Sequence, residues 1–322
     1  MNRIKIRGLI MLVVFSLMIT LLSVEARAAK SIGVLLWNEE ARYIECKKGI
    51  LEQLKNDGYG EPAVKFTIVN AERSKAKLAE LVRNFAAAKM DLIISLGTIA
   101  TVAVTQEIKD VPVVFSMVYD PVETGIAKSW KSSGNNTTGS SPLIPMSRIL
   151  KSLKEFAPVK RLAMLYEPGE KQSVIELREL QKIQASFQIK VIPIIVPKKE
   201  EIPNVLATTV TAADAIYIAG STVAEANAPI IIDMANKAKV VTVTHLADLV
   251  AKGVLLGVCA NPYFVGRLAG KKAVQILKGA KPASVPIETD KRPDLILNMK
   301  TAKAGKFQIP PSFMKKVTKT IE

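Results

Sequence analysis

Apolar residues fall into short runs separated by helical patterns, and the same order occurs twice. Ser31-Ile-Gly-Val-Leu-Leu-Trp37 is too short for a helix and apolar enough for a buried strand. A helical pattern from Tyr43 to Leu54 follows and stops at Asp57-Gly58. Val64-Lys-Phe-Thr-Ile-Val69 alternates as a strand, residues 74–88 are amphipathic, and Asp91-Leu-Ile-Ile-Ser-Leu96 is a third strand. Gly97-Thr98 then opens a helix, and Pro112-Val-Val-Phe-Ser-Met117 is a fourth strand, ending at Tyr119-Asp120-Pro121. The second half repeats this course at a spacing of about 123–130 residues. Its strands are Arg161–Tyr166, Lys190–Val196, Asp214–Ala219 and Val240–Thr244. Helical patterns cover Ser173–Ser186 and 201–211, and Gly220-Ser221-Thr222 opens another. Pro193 inside the second of these strands points to a sheet edge, because proline cannot donate to a ladder.

Strands alternating with helices predict parallel sheets covered on both faces, and two copies predict two α/β lobes. Ligands bind beyond the carboxyl ends of such strands, so two lobes facing each other with those ends enclose a cleft. Composition agrees with a well-filled core: 49% of the 322 residues are hydrophobic and 23% charged. Aromatics are only 5%, which makes any aromatic beside a strand end conspicuous.

The start of the chain stands apart. Arg3, Lys5 and Arg7 precede an apolar run from Gly8 to about Leu22, followed by Ala26-Arg27-Ala28. This is the pattern of a cleaved secretory signal peptide over residues 1–28, and the run is short for a membrane-spanning helix. No cysteine is nearby for lipid attachment. Cleavage removes four basic residues (Arg3, Lys5, Arg7, Arg27) and one acid (Glu25), lowering the formal charge from +16 to +13. The lysines are scattered, with no arginine stripe, so the charge reads as a solvated surface and no nucleic-acid partner is expected. One histidine and two cysteines exclude His-rich and four-cysteine metal sites, and no cofactor is expected. Cys46 and Cys259 lie in partly apolar settings that suit free thiols.

Candidate chemistry gathers at the predicted strand ends. Glycine and free amides at the helix starts of Thr98 and of Ser221 and Thr222 suit a carboxylate, with the hydroxyls adding hydrogen bonds; ordinary N-capping is the alternative. Asp120 and Glu167, each before a proline, are placed to pair with a ligand ammonium or to shape a turn. Trp37 and Tyr119 lie just past strands, where a cleft wall belongs. Ser173 starts a second-lobe helix and can offer a hydroxyl. Asp248 and His245 lie past the last second-lobe strand; the histidine reads as a hydrogen-bonded cleft or core residue. There is no nucleophile–base pair, which speaks against an enzyme.

Several longer stretches carry a resemblance. They are Asp91-Leu-Ile-Ile-Ser-Leu-Gly-Thr98, Val118-Tyr-Asp-Pro-Val122, Gly134-Asn-Asn-Thr-Thr-Gly139 and Leu165-Tyr166-Glu167-Pro168. Ala235–Val240, Gly266-Arg-Leu-Ala-Gly270, Ile276–Gly279, Leu297–Lys303 and Ile309-Pro-Pro311 continue the series. In this order and spacing they resemble the periplasmic substrate-binding proteins of ABC transporters that include the tryptophan- and tyrosine-binding components. The resemblance implies a type I periplasmic-binding fold with three crossings, near Ser140–Leu143, Asn261–Tyr263 and Thr289–Asp294. One lobe is then 29–141 plus about 263–290, and the other 142–262 plus about 291–322. It also implies a monomer in the periplasm that feeds a small molecule, an aromatic or large apolar amino acid, to an inner-membrane ABC permease, and a hinge that closes on binding. A sensor reporting to a membrane receptor is the alternative. The family often has a Gln where Leu36-Trp37 stands and an acid near Asn261.

Overall fold

The computed structural model describes residues 29–195 and 199–322; residues 1–28, read above as a signal peptide, lie outside the described residues. The chain begins with β1 (Lys30–Leu36), α1 (Ala41–Asn56), β2 (Val64–Asn70), α2 (Lys75–Ala87), β3 (Leu92–Leu96), α3 (Thr98–Glu107), β4 (Val113–Ser116) and β5 (Thr137–Ser141). It continues with α4 (Met146–Phe156), β6 (Arg161–Tyr166), α5 (Lys171–Ile183), β7 (Lys190–Ile195), α6 (Ile202–Ala212), β8 (Ala215–Ile218), α7 (Thr222–Ala226) and α8 (Ala228–Lys237). Then come β9 (Val241–Thr244), α9 (Ala247–Ala251), β10 (Leu256–Cys259), α10 (Pro262–Leu277), β11 (Glu288–Thr289), β12 (Asp294–Asn298), α11 (Met299–Ala304), α12 (Pro311–Met314) and β13 (Lys319–Ile321).

These form two sheets. The first has the order β11-β5-β4-β3-β1-β2 and the second β13-β12-β10-β9-β8-β6-β7. Every pairing is parallel except β10 with β12, which runs antiparallel with Leu256 opposite Leu297. That one reversal departs from the all-parallel expectation: β12 reaches the second lobe directly from β11 of the first, without a crossover helix. Parallel strands covered on both faces are apolar throughout rather than alternating, and all five residues of β3 are buried. Pro193 sits on β7, the edge of its sheet, where a missing donor costs no ladder bond.

The chain passes between the sheets after β5, after β10 and between β11 and β12. β5 (Thr-Thr-Gly-Ser-Ser) is small and polar, yet all five residues are buried between β4 and β11. The sequence pattern gave it no strand signal, because its burial comes from α10 overhead and not from its own apolarity. The return helix α10 packs closely on α1. A Cβ at Gly49 would overlap the Tyr263 carbonyl, and one at Gly266 would overlap that of Cys46, so these helices touch backbone to backbone. Cys46 and Cys259 are both buried free thiols. Among the described residues, no helix is long and apolar enough to cross a membrane.

Candidate functional site

The carboxyl ends of the two sheets face each other across a cavity of about 220 Å³, lined from both lobes. Trp37 follows β1, Tyr43 stands on α1, and Thr98 begins α3; together they form the first-lobe wall. Gly97 makes this wall possible. Its φ of 103° is one that side chains rarely adopt. A Cβ there would come within 3.0 Å of the Tyr43 hydroxyl and 3.2 Å of the Trp37 Cβ. The second lobe supplies Glu170 and Gln172 around the start of α5, Gly220 and Thr222 beyond β8, Glu225 on α7, and His245 and Leu246 beyond β9.

Of the residues proposed from sequence, Trp37, Thr98 and Thr222 line this cavity. The others have different neighbours. Asp120 Oδ1 accepts from the backbone N–H of Val122 (2.9 Å) and Glu123 (3.0 Å), so this carboxylate caps its own turn instead of facing the cavity. Tyr119 is fully buried, and its hydroxyl donates to Glu179 Oε2 at 3.0 Å. Glu167 lies outside the cavity wall and accepts from Ser221 Oγ at 3.4 Å. Ser173 Oγ donates to the Glu167 carbonyl at 2.8 Å, fixing the loop before α5. Ser221 caps α7, accepting from Ala224 N–H. The Thr222 amide is already taken by Glu170 Oε2 at 2.9 Å.

Asp248 stands behind the wall and holds a residue within it. Arg42 is buried and crosses from the first lobe to the second. Its Nη1 lies 2.6 Å from Asp248 Oδ2 and 2.5 Å from Glu40 Oε2, and its Nη2 lies 2.6 Å from Glu225 Oε2. Arg73 pairs with the other oxygen of Glu40. Burial raises the Glu40 carboxyl, but Arg42 and Arg73 outweigh it and hold it at about 2. Burial pushes Glu225 up to about 8 against the pull of Arg42, and raises Asp248 in the same way. The cluster therefore joins the lobes as a cation among carboxyl groups of unequal affinity for protons. Further bridges tie the lobes: Lys171 Nζ donates to the Thr124 carbonyl at 3.0 Å, and Thr98 Oγ1 to Gln172 Oε1 at 3.5 Å.

Behind Gln172 lies a buried polar ring. Its Nε2 is 2.8 Å from Glu176 Oε1 and 3.3 Å from His245 Nε2. The Tyr217 hydroxyl is 3.0 Å from Glu176 Oε2 and 2.6 Å from His245 Nδ1. Burial, with the charge of Arg42, lowers His245 to about 3, so the imidazole is neutral. Burial pushes Glu176 up to about 8, while hydrogen bonds from Gln172, Tyr217 and the Gly220 amide pull the other way.

Arg42, Glu170, Gln172 and Glu225 were not singled out from sequence, and Tyr43 only as one of the scarce aromatics. Arg42 did carry a signal. A cation in the first turn of a helix opposes the macrodipole, and Glu39-Glu40 just ahead of it offers the compensating charge. Glu170 and Gln172 lie within one turn of Ser173, the residue that was chosen.

Known proteins share this architecture. A curated relative, the tyrosine-binding protein of Clostridioides difficile (strain R20291), is 25% identical over 287 residues, covering 88% of this chain and 83% of that one. A solved ABC domain from Streptococcus pneumonia in complex with L-Trp is 27% identical, with a TM-score of 0.86 over 91% of this chain and all of that one. A conserved domain protein from Vibrio cholerae is 25% identical, with a TM-score of 0.85 over 91% of this chain and 99% of its own. A family model described as ABC transporter substrate binding protein matches residues 31–321. With nearly the whole described chain matched, the protein belongs to the ABC transporter substrate-binding proteins, which bind solutes and are not enzymes.

Proposed function

We propose that this protein captures an amino acid, with an aromatic or large apolar side chain favoured, and delivers it to an ABC permease. The observation that carries this is the cavity itself: it is closed between two lobes and has aromatic and polar groups on opposite sides. Trp37 and Tyr43 form a face on which a flat or apolar side chain can stack. Thr98 at the start of α3 suits the ligand carboxylate, and its hydroxyl adds to that helix start. The Thr222 hydroxyl lies on the opposite lobe. Glu170 brings a carboxylate to the second-lobe wall, in the role that the sequence had offered to Asp120 or Glu167. The relatives named for tyrosine and solved with L-Trp support the same ligand class.

The basic start, apolar run and Ala26-Arg27-Ala28 support export through a cleaved signal, with the mature chain working in the periplasm.

A thermal-shift panel followed by calorimetry tests the ligand class. L-Trp, L-Tyr, L-Phe, L-Leu and L-Ile are compared with common sugars and purine nucleosides. A bound ligand raises the midpoint by mass action, by about 2.7 kcal/mol of added stability at a hundred times its Kd. The expected result is a rise with at least one aromatic or large apolar amino acid. A rise with a sugar or nucleoside and none with these amino acids would overturn the assignment.

A further inference from the structure

The buried ring behind Gln172 contains a glutamic acid, a tyrosine and a histidine, and none is paired with a cation in the ordinary way. Glu176, Tyr217 and His245 are all fully or almost fully buried. Their hydrogen bonds nevertheless form a consistent set. Once Glu176 has lost its proton, the Tyr217 hydroxyl donates to Glu176 Oε2 and the short contact to His245 has Nδ1–H donating to the Tyr217 oxygen; while Glu176 keeps its proton on Oε2, its Oε1 is still the acceptor that faces the Gln172 amide at 2.8 Å. A neutral imidazole protonated on Nδ1 leaves Nε2 as an acceptor. The two groups that face the Gln172 amide, Glu176 Oε1 and His245 Nε2, are then both acceptors. An amide has one donor end and one acceptor end. Its NH₂ must point into the ring, and its oxygen must point out. Turned the other way, the amide oxygen would meet two lone pairs.

Gln172 lines the cavity together with His245, and it is the member of this set whose free polar atom faces outward. Its outward oxygen meets one protein donor, Thr98 Oγ1, at the long distance of 3.5 Å. Gly220 makes room for this placement. A Cβ at that position would overlap the Gln172 amide, and no other group is as near.

We propose that Gln172 determines selectivity in the cavity: the Glu176–Tyr217–His245 ring locks its amide with Oε1 facing the ligand, where it selects a ligand that presents an N–H donor, the ammonium group of an amino acid. The proposal rests on the amino-acid assignment above and adds to it the residue that tells an amino acid from its deamino analogue. Glu176, Tyr217 and His245 are positioning residues in this scheme. A site built around a fixed acceptor discriminates strongly against an analogue that lacks the donor, because the acceptor is left without a partner.

Calorimetry with two matched pairs tests this: L-Trp against indole-3-propionate, and L-Tyr against 3-(4-hydroxyphenyl)propionate. Each pair shares ring and carboxylate and differs in the ammonium. Gln172→Leu should weaken amino-acid binding by about ten- to a hundred-fold, the range of a hydrogen bond to a charged group, and leave the deamino acids within about three-fold. Gly220→Ala should shift the ratio in the same direction by displacing the amide while Gln172 remains. Tyr217→Phe should do so as well, because it frees the histidine tautomer. The deamino ligands report on folding of the pocket in every variant. Equal losses for both members of a pair, or an unchanged ratio in Gln172→Leu and Gly220→Ala, would overturn the proposal alone. If the unaltered protein bound neither amino acid, the assigned ligand class would fall and this proposal with it.

Discussion

Gly97 shows how a single backbone position sets the cavity wall. The chain must turn from β3 into α3 within one residue, and at a φ of 103° any side chain is strained. The space beside it is already filled by Tyr43 and Trp37. Gly97→Ala should therefore cost about 1–3 kcal/mol of unfolding free energy. It should also weaken ligand binding, since the aromatic face must retreat. Urea unfolding checks the first effect and calorimetry the second; a variant of unchanged stability would show that the loop relaxes freely. This glycine was legible in sequence as a strand-to-helix turn, as was Trp37 beside it. Asp120, read from sequence as a partner for a ligand ammonium or a turn former, caps its turn here for an equally local reason. A carboxylate before Pro121 can point outward or fold back on its own backbone, and the two amides at 122 and 123 were close enough to win. Nothing in a linear sequence reveals that Arg42 meets Glu225 and Asp248, about two hundred positions away.

At the scale of elements, the legible ones were those whose own residues drive their burial. The strands before α1, α3, α5 and α7 are apolar runs and stood out at once. β5 and β11 did not, because a polar strand buried under another element has no periodicity of its own. Glu40 just before α1, Glu225 on α7, Glu176 in the second turn of α5 and His245 beyond β9 are the titrating groups, and their signs can be worked out. Glu225 and Glu176 are both raised to about 8 in the native protein, from an ordinary value near 4.3. Between these limits the native state keeps protons that the unfolded chain has released. The stability they contribute is full below about 4.3 and is lost as pH rises through 8. His245, lowered to about 3, acts oppositely: stability is lost as pH falls below its ordinary 6.5. Glu40 acts oppositely too, with stability lost only as pH falls from about 4.3 towards 2. From pH 6.5 to 8 the two raised carboxyls dominate. The thermal midpoint should fall across that window, by the equivalent of about 1 kcal/mol per pH unit per proton. Glu225→Gln should flatten part of the slope. A midpoint that rose from pH 6.5 to 8 would contradict this account.

The whole molecule is two lobes joined by three crossings and closed by charge. Arg42 belongs to the first lobe, and two of its carboxyl partners belong to the second. Opening the cleft must separate them, so ligand capture and the Arg42 cluster act on the same equilibrium. Removing one partner of a buried ion pair costs about 3–5 kcal/mol, largely because the remaining charges are stranded. In Arg42→Ala, Glu225 and Asp248 would be buried together beside Glu40 with no cation between them. The open form relieves this by hydrating them, so the penalty falls on closure. Arg73 remains beside Glu40, and Lys252 approaches it to 3.4 Å, which softens the loss. Arg42→Ala should therefore weaken binding by roughly two to three powers of ten. The loss should be the same for L-Trp and indole-3-propionate, because both depend on one closure step. Small-angle scattering of the variant at moderate ligand concentration should show a larger radius of gyration than the unaltered protein, with unchanged far-ultraviolet dichroism. The equal loss separates the cluster from Gln172, whose replacement should change the ratio between the two ligands. If Arg42→Ala bound both ligands as tightly as the unaltered chain, the cluster would be a passive contact and closure would depend on the ligand and the remaining bridges alone.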